Sequence, residues 1–370
     1  MLVREDWSGA GGNGPGGRKR PRLFEVFPAL EGRVAWRPLI QGPTPVQPLE
    51  KLSRHLGREV WIKRDDLTSP EYGGNKPRKL EFLLAEARAG GKRLLVTGGG
   101  LGTNHGLATA FYGRRLGFQV ELDLFAQPVT EHVRRNLKLF HVLRARMRFC
   151  GGLGGFVLRH YLTGPLLRRG AYFIPPGGSS PVGTLGYVDA GLELAGQVKR
   201  GEMPEPEAVF AAVGTCGTMA GLLIGLRLGG LGSRVIGVRV ATPLSAHAGA
   251  ITGLADRTLG LLRRLDPSLP ELDVSEAPLV TDQYGPGYGH PTPAGREAAR
   301  LAADLEGIRL DLTYTAKTLA ALQAYAAAGP GRGPLLFWHT FSAADLAPLA
   351  EGVDHRDLPR AFHRFFEPGK

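Results

Sequence analysis

Apolar residues fall into two rhythms along the chain. Short apolar runs at 94–97, 120–125, 147–150, 172–174, 208–213, 235–240 and 335–338 have the length and the apolar content of buried strands. Between several of them, 3.6-residue spacing at 107–116, 133–143 and 219–228 predicts helices. The order strand, helix, strand recurs in two sets. It predicts an α/β fold with two open, mainly parallel twisted sheets covered by helices. In such folds ligands occupy the crevice at the C-terminal ends of the strands. The Pro/Gly turns at 175–178 and 285–287 read as loops lining that crevice.

Composition narrows the class. The chain has 370 residues, enough for two domains, with 43% hydrophobic and 22% charged residues, the balance of a soluble globular protein. No apolar run is long enough to span a bilayer without a charge or polar break, so no membrane partner is expected. The Gly/Arg-rich N-terminus lacks the apolar stretch of a secretory signal. Two cysteines, Cys150 and Cys216, argue against a disulfide framework or a cysteine-based zinc site, so no metal is expected, and they fit a cytoplasmic protein. The formal net charge of +12 raises nucleic acid as a partner. Only Arg18-Lys19-Arg20 forms a compact basic cluster, and no RNA-reading aromatic motif is present. The charge reads mainly as a solvated surface that draws in anionic small molecules.

Candidate chemistry sits at glycine turns. Trp61-Ile62-Lys63-Arg64-Asp65-Asp66 is followed by Gly73-Gly74-Asn75-Lys76, with Lys76 where a helix should begin; taken alone, the simpler reading of Lys76 is a surface lysine in a basic loop. Desolvation and the helix dipole both lower the pKa of an amine held there, and a neutral amine is what imine chemistry on a carbonyl requires. Gly214-Thr215-Cys216-Gly217-Thr218 lies between an apolar run and a helical one, which suits either an anion cradle of backbone N–H groups and hydroxyls or a plain strand-to-helix turn that needs glycine for its geometry. The Gly-Lys-Ser/Thr ending of a nucleotide loop is absent. The glycines at 98–102 lack the third glycine of a dinucleotide fingerprint. Thr103 and Asn104 are natural helix caps, the simpler reading of that pair alone; with His105 they could also hold a ligand's polar edge.

Taken in order, these motifs resemble the aminocyclopropane-carboxylate deaminase and D-cysteine desulfhydrase family. The resemblance rests on Lys-Arg-Asp-Asp before Gly-Gly-Asn-Lys, Gly-Thr-Asn-His at 102–105, Pro-Pro-Gly-Gly-Ser-Ser-Pro from 175, Gly-Thr-Cys-Gly-Thr from 214, Gly-Tyr-Gly-His from 287, and Tyr-Thr-Ala-Lys from 314. It covers about residues 38–340 and implies a pyridoxal-phosphate enzyme of the tryptophan-synthase β-like fold, with the cofactor between the domains. The division it implies is a flexible tail at 1–22, a large cofactor-binding domain of 23–78 plus 192–370, and a small domain of 79–191. Lys76 matches the lysine that links covalently to pyridoxal 5'-phosphate, and Asn75 is a further cofactor contact. Asn104 matches the partner of the cofactor's ring hydroxyl. Thr103 stands where the family has a substrate-touching serine. Gly214, Thr215, Cys216, Gly217 and Thr218 match the phosphate loop, Tyr288 and Tyr314 match two active-site tyrosines, and Thr315 matches the position facing the pyridine nitrogen. Threonine there, where ring-opening deaminases carry glutamate, tilts the implied reaction toward α,β-elimination from a small amino acid, giving a 2-oxo acid and ammonia. Aminocyclopropane-carboxylate deamination and cofactor binding without turnover are the alternatives. A homodimer is expected by resemblance alone. Phe341 stands where the family has glycine.

Overall fold

A computed structural model describes residues 18–329 and 331–367. Ten strands form two sheets. The larger has the order β1-β2-β10-β7-β8-β9, from Val46–Pro48, Val60–Lys63, Leu335–Trp338, Ala208–Val213, Arg234–Arg239 and Leu279–Val280. Only its edge pair β1/β2 is antiparallel. The smaller is wholly parallel, β5-β4-β3-β6, from Arg146–Phe149, Gln119–Phe125, Leu94–Gly100 and Tyr172–Phe173. Strand β7, Ala-Val-Phe-Ala-Ala-Val, is apolar throughout because helices cover both faces of its sheet. The expected α/β class with two mainly parallel sheets holds.

The long helices are α1 (Asn75–Ala89), α2 (Asn104–Arg115), α3 (Glu131–Val142), α4 (Pro181–Lys199), α5 (Gly217–Leu228), α6 (Ala248–Leu265), α7 (Pro293–Glu306) and α8 (Thr315–Ala328). Helices α4 to α6 pack on one face of the large sheet, α7 and α8 on the other, and α1 to α3 on the small sheet. Helix α4 was not legible in the sequence, because glycines at 183, 186, 191 and 196 lower its intrinsic propensity. They are there for packing. A Cβ on Gly191 would come within 2.8 Å of Gly225 backbone atoms on α5, and one on Gly225 within 2.3 Å of the Val188 carbonyl. The two backbones touch where side chains would hold them apart.

Two boundaries of the expected division fall inside helices. Residue 78 lies inside α1 and residue 191 inside α4, and both helices are continuous. The C-terminal residues Ala350, Leu358 and Phe362 join the core of the small sheet, not the large one. Of the expected tail, residues 1–17 lie outside the described residues. The Arg18 side chain is largely covered and pairs with Glu81 and Asp189, and Leu23 N–H donates to Asp189 Oδ1 (2.9 Å). Arg20 pairs with Glu31 (2.6 Å). Two of the three charges in the basic cluster are therefore engaged by carboxylates of this chain. No helix among the described residues is long and apolar enough to cross a membrane.

Candidate active site

The two sheets point their C-terminal strand ends at one cavity of about 650 Å³. Strand β3 runs three residues further than its apolar core, through Gly98, Gly99 and Gly100. Gly98 and Gly99 leave no room for side chains: a Cβ at Gly98 would run into the Asp123 carbonyl and sit 2.5 Å from the Phe156 ring, and one at Gly99 would sit 2.8 Å from Thr103 Oγ1, whereas at Gly100 it would meet only the movable Gln127 amide. The strand's backbone thereby forms part of the cavity wall.

Lys76 enters from the first turn of α1. The preceding Gly74 has φ +88, and a Cβ there would lie 2.7 Å from the Thr340 carbonyl. Asn75 N–H donates to that same carbonyl (3.1 Å). The turn therefore fixes where α1 begins and where Lys76 points. The Lys76 ammonium donates to Asn75 Oδ1 (2.8 Å). Burial lowers its pKa to about 8, against a smaller opposing pull from the Asp311 carboxylate. The chemistry expected of a desolvated amine is thus available.

The loop 214–218 faces the turn 175–179. Ser179 Oγ lies 2.8 Å from Thr215 Oγ1 and accepts from Gly217 N–H (3.2 Å), and Asn75 Nδ2 donates to Thr218 Oγ1 (3.2 Å). Cys216 adopts φ +68, a strained value for a residue with a Cβ, and starts α5. A Cβ on Gly217 would sit 2.7 Å from Ser179 Oγ and 2.8 Å from Lys79 Nζ. Lys79 is a cavity-lining residue that sequence reasoning passed over, although a lysine three positions after Lys76 shares its helix face. It donates to the Gly177 carbonyl (3.1 Å), and burial, then Lys76, holds its pKa well below that of a free lysine.

Opposite stand Thr103, Asn104 and His105. Thr103 Oγ1 accepts from Gly106 N–H (3.2 Å), so it does cap α2, while it also lines the cavity. Asn104 lines the cavity, with Asn136 Nδ2 3.4 Å from its Oδ1. His105 is 3% exposed, and neither ring nitrogen has a protein partner among the described residues. Burial, then Lys76 and Lys79, keeps it neutral. Tyr288 and Tyr314 share a hydrogen bond between their hydroxyls (2.7 Å). Burial raises both pKa values, so both stay protonated.

Thr315 is placed differently from expectation. It is fully buried, and its hydroxyl donates to Asp311 Oδ2 (2.7 Å). The residue that reaches the cavity is Asp311, whose carboxylate also accepts from the N–H groups of Thr313, Tyr314 and Thr315 (3.0, 2.7 and 3.1 Å). An aspartate four residues before a helical run lies outside the cap position, and nothing local marks it as facing a ligand. Phe341 also lines the cavity.

A family model for pyridoxal-phosphate dependent enzymes matches residues 38–340. The chain belongs to that family. Among relatives of this pyridoxal-phosphate-dependent enzyme is a D-cysteine desulfhydrase of Salmonella schwarzengrund (strain CVM19633), 35% identical over an alignment 330 residues long that covers 86% of this chain and 95% of the relative. A crystal structure of an ACC deaminase homologue superposes with TM-score 0.73 at 31% identity, covering 86% of this chain and 95% of that one. A T.th. threonine deaminase shares the fold, at 20% identity and TM-score 0.59, covering 88% of this chain and 98% of that one. The expected family and its fold type both hold.

The residues present fit the family's cofactor. The side-chain-free approach at Gly217, the hydroxyls of Thr215 and Ser179 and the Lys79 ammonium make a donor set suited to a phosphate. An amine of pKa about 8 stands beside them to meet an aldehyde. Capture of pyridoxal phosphate by the apoprotein should therefore accelerate with pH through a midpoint near 8, well below the 10.5 of an unperturbed lysine. In Asp311→Asn the midpoint should move lower still, because the carboxylate that favours the ammonium form has lost its charge. Stopped-flow absorbance across a pH series measures both.

Proposed function

We propose that this enzyme holds pyridoxal 5'-phosphate through Lys76 and eliminates a β-substituent from a small amino acid, releasing a 2-oxo acid and ammonia, with sulfide when the substrate is cysteine. The observation that carries the reading is the desolvated Lys76 amine, with a phosphate-type cradle beside it and a protonated tyrosine pair in the same cavity. The relative named a D-cysteine desulfhydrase makes D-cysteine the first substrate to test.

In this reading the loop 214–218 with Ser179 and Lys79 takes the phosphate, and Asn104 takes the ring hydroxyl, with Asn75 holding Lys76 in place. Thr315 positions Asp311, and the pair forms the wall on the pyridine-nitrogen side. When bound, the cofactor delocalises the electron pair left at the substrate's Cα. Lys76, whose pKa of about 8 makes its neutral form accessible near physiological pH, would serve as the base that takes the Cα proton. The Tyr288–Tyr314 pair, protonated and mutually bonded, can give a proton to a departing sulfur. Thr103 holds the substrate through its hydroxyl while capping α2.

The test is a difference-spectrum and product assay of the holoprotein with D-cysteine, L-cysteine and aminocyclopropane carboxylate. D-Cysteine should perturb the visible band and yield sulfide, pyruvate and ammonia in equal amounts. A protein that stays colourless with added pyridoxal phosphate sinks the proposal. 2-Oxobutanoate from aminocyclopropane carboxylate, with no sulfide from cysteine, would transfer it to deamination.

A further inference from the structure

Leu153, Phe156, Val157 and Tyr161, from the segment 153–167, build a wall of the cavity that elimination from cysteine itself does not need. The segment runs as a helix at Leu153–Val157, a π-helical stretch at Leu158–Thr163 and a helix at Gly164–Leu167. π-Helical turns are rare and are found often at functional sites. This one is pinned from beneath. His160, 1% exposed, has Nδ1 3.1 Å from Asp123 Oδ2 on β4, and Arg168 pairs with the same carboxylate oxygen (3.0 Å). The His160 ring stacks on Phe156 (5.0 Å, 13°), and Phe156 lies against Phe125 (5.2 Å). Phe156 also closes over Gly98, where a Cβ would be 2.5 Å from its ring.

With the buried side thus fixed, Leu153, Val157 and Tyr161 are held outward at 44%, 41% and 49% exposure. Leu244, 80% exposed, comes from beyond the end of β8 in the large sheet. All four line the same cavity as Lys76. Apolar surface from two sheets thus converges on one mouth and is left uncovered by the described residues, and such a concentration marks a binding surface. Its continuity with the cavity around Lys76 says what fills it: the outer part of whatever reacts there.

We propose that this enzyme's substrate is an amino acid whose β-substituent is a large apolar group, an S-alkyl or S-aryl cysteine, with that group seated against Phe125, Leu153, Phe156, Val157, Tyr161 and Leu244. This rests on the elimination reading above and replaces its small amino acid with one that carries a bulky thioether. The chemistry balances with water alone. The Cα–H and Cβ–S bonds break, and sulfur leaves with the bonding pair and takes a proton to become the thiol. Water hydrolyses the remaining three-carbon unit to pyruvate and ammonium.

Binding can be read apart from turnover. The holoenzyme is titrated with both enantiomers of alanine, norvaline and phenylalanine, none of which carries a β leaving group, and the visible spectrum reports occupancy. For one enantiomer, phenylalanine should bind at least tenfold more tightly than alanine, with norvaline between, because each adds apolar surface against the wall. Val157→Asn and Leu244→Asn, both at exposed positions and so without consequence for folding, should each erase most of that advantage and leave alanine unchanged. Equal affinities across the series, or phenylalanine excluded while alanine binds, overturn the substrate proposal and leave the elimination reading standing. A flat series in which Val157→Asn alters the size-exclusion mass also overturns it and gives the face to a second copy of the chain. No spectral response to any amino acid defeats both.

Discussion

Lys76→Ala is expected to purify without the yellow band of bound pyridoxal phosphate, to gain no borohydride-resistant absorbance, and to lose about 10²–10⁴-fold in elimination rate, the range for removing a positioned base. The physical basis is the placement of one amine. Gly74 at φ +88 and the Asn75–Thr340 hydrogen bond fix the first turn of α1 so that the amine faces the cavity. Burial then brings its pKa to about 8. Among the described residues the amine's hydrogen bond goes to its neighbour Asn75, so truncation should leave the fold intact. Far-UV circular dichroism and the urea midpoint should match wild type. A variant that keeps the yellow band after borohydride and dialysis would place the covalent link on another lysine, with Lys79 the nearest alternative on the same helix face.

Arg78→Met should produce the largest loss of stability. Arg78, two residues beyond Lys76, is fully buried between Asp65 Oδ1 (2.8 Å) and Glu193 Oε1 (2.9 Å) and donates to Thr44 Oγ1 (3.0 Å). Asp65 Oδ2 also accepts from Tyr187 Oη and Trp338 Nε1, both at 2.7 Å, and Lys63 Nζ donates to Glu193 (2.6 Å). Methionine fills similar volume but leaves two buried carboxylates facing one ammonium. Removing one partner of such a network costs about 3–5 kcal/mol, a large share of a typical protein's stability. Urea unfolding measures it. A loss below about 1 kcal/mol would mean that water reaches the carboxylates. The network also ties β2, β10 and α4 to the start of α1, so the variant should bind pyridoxal phosphate more weakly even where it remains folded.

Strands β3, β7 and β10 were legible because they are buried nearly throughout and begin or run as uninterrupted apolar stretches. The edge strands Val46–Pro48 and Leu279–Val280 were not, since two or three residues carry no period. Helix α4 was lost for the opposite reason: its glycines violate helix propensity locally and are satisfied only by the backbone of α5. Ser180, whose hydroxyl accepts from Gly183 N–H (3.2 Å), followed by Pro181, was the available start signal.

At the site, sequence alone determined the residues whose chemistry is local: a lysine at a glycine turn, a glycine-hydroxyl loop after a strand, and a cap pair at a helix start. Each follows from backbone geometry within a few positions, and their order along the chain was enough to place the family. Tertiary structure alone decided which neighbours complete them. It set Asp311, not Thr315, at the cavity, brought Lys79 against Gly217, left His105 buried with no hydrogen-bond partner among the described residues, and turned an apolar stretch at 153–161 into the cavity's outer wall. These depend on contacts between residues tens to hundreds of positions apart, where a side chain's meaning is set by what the fold brings opposite it.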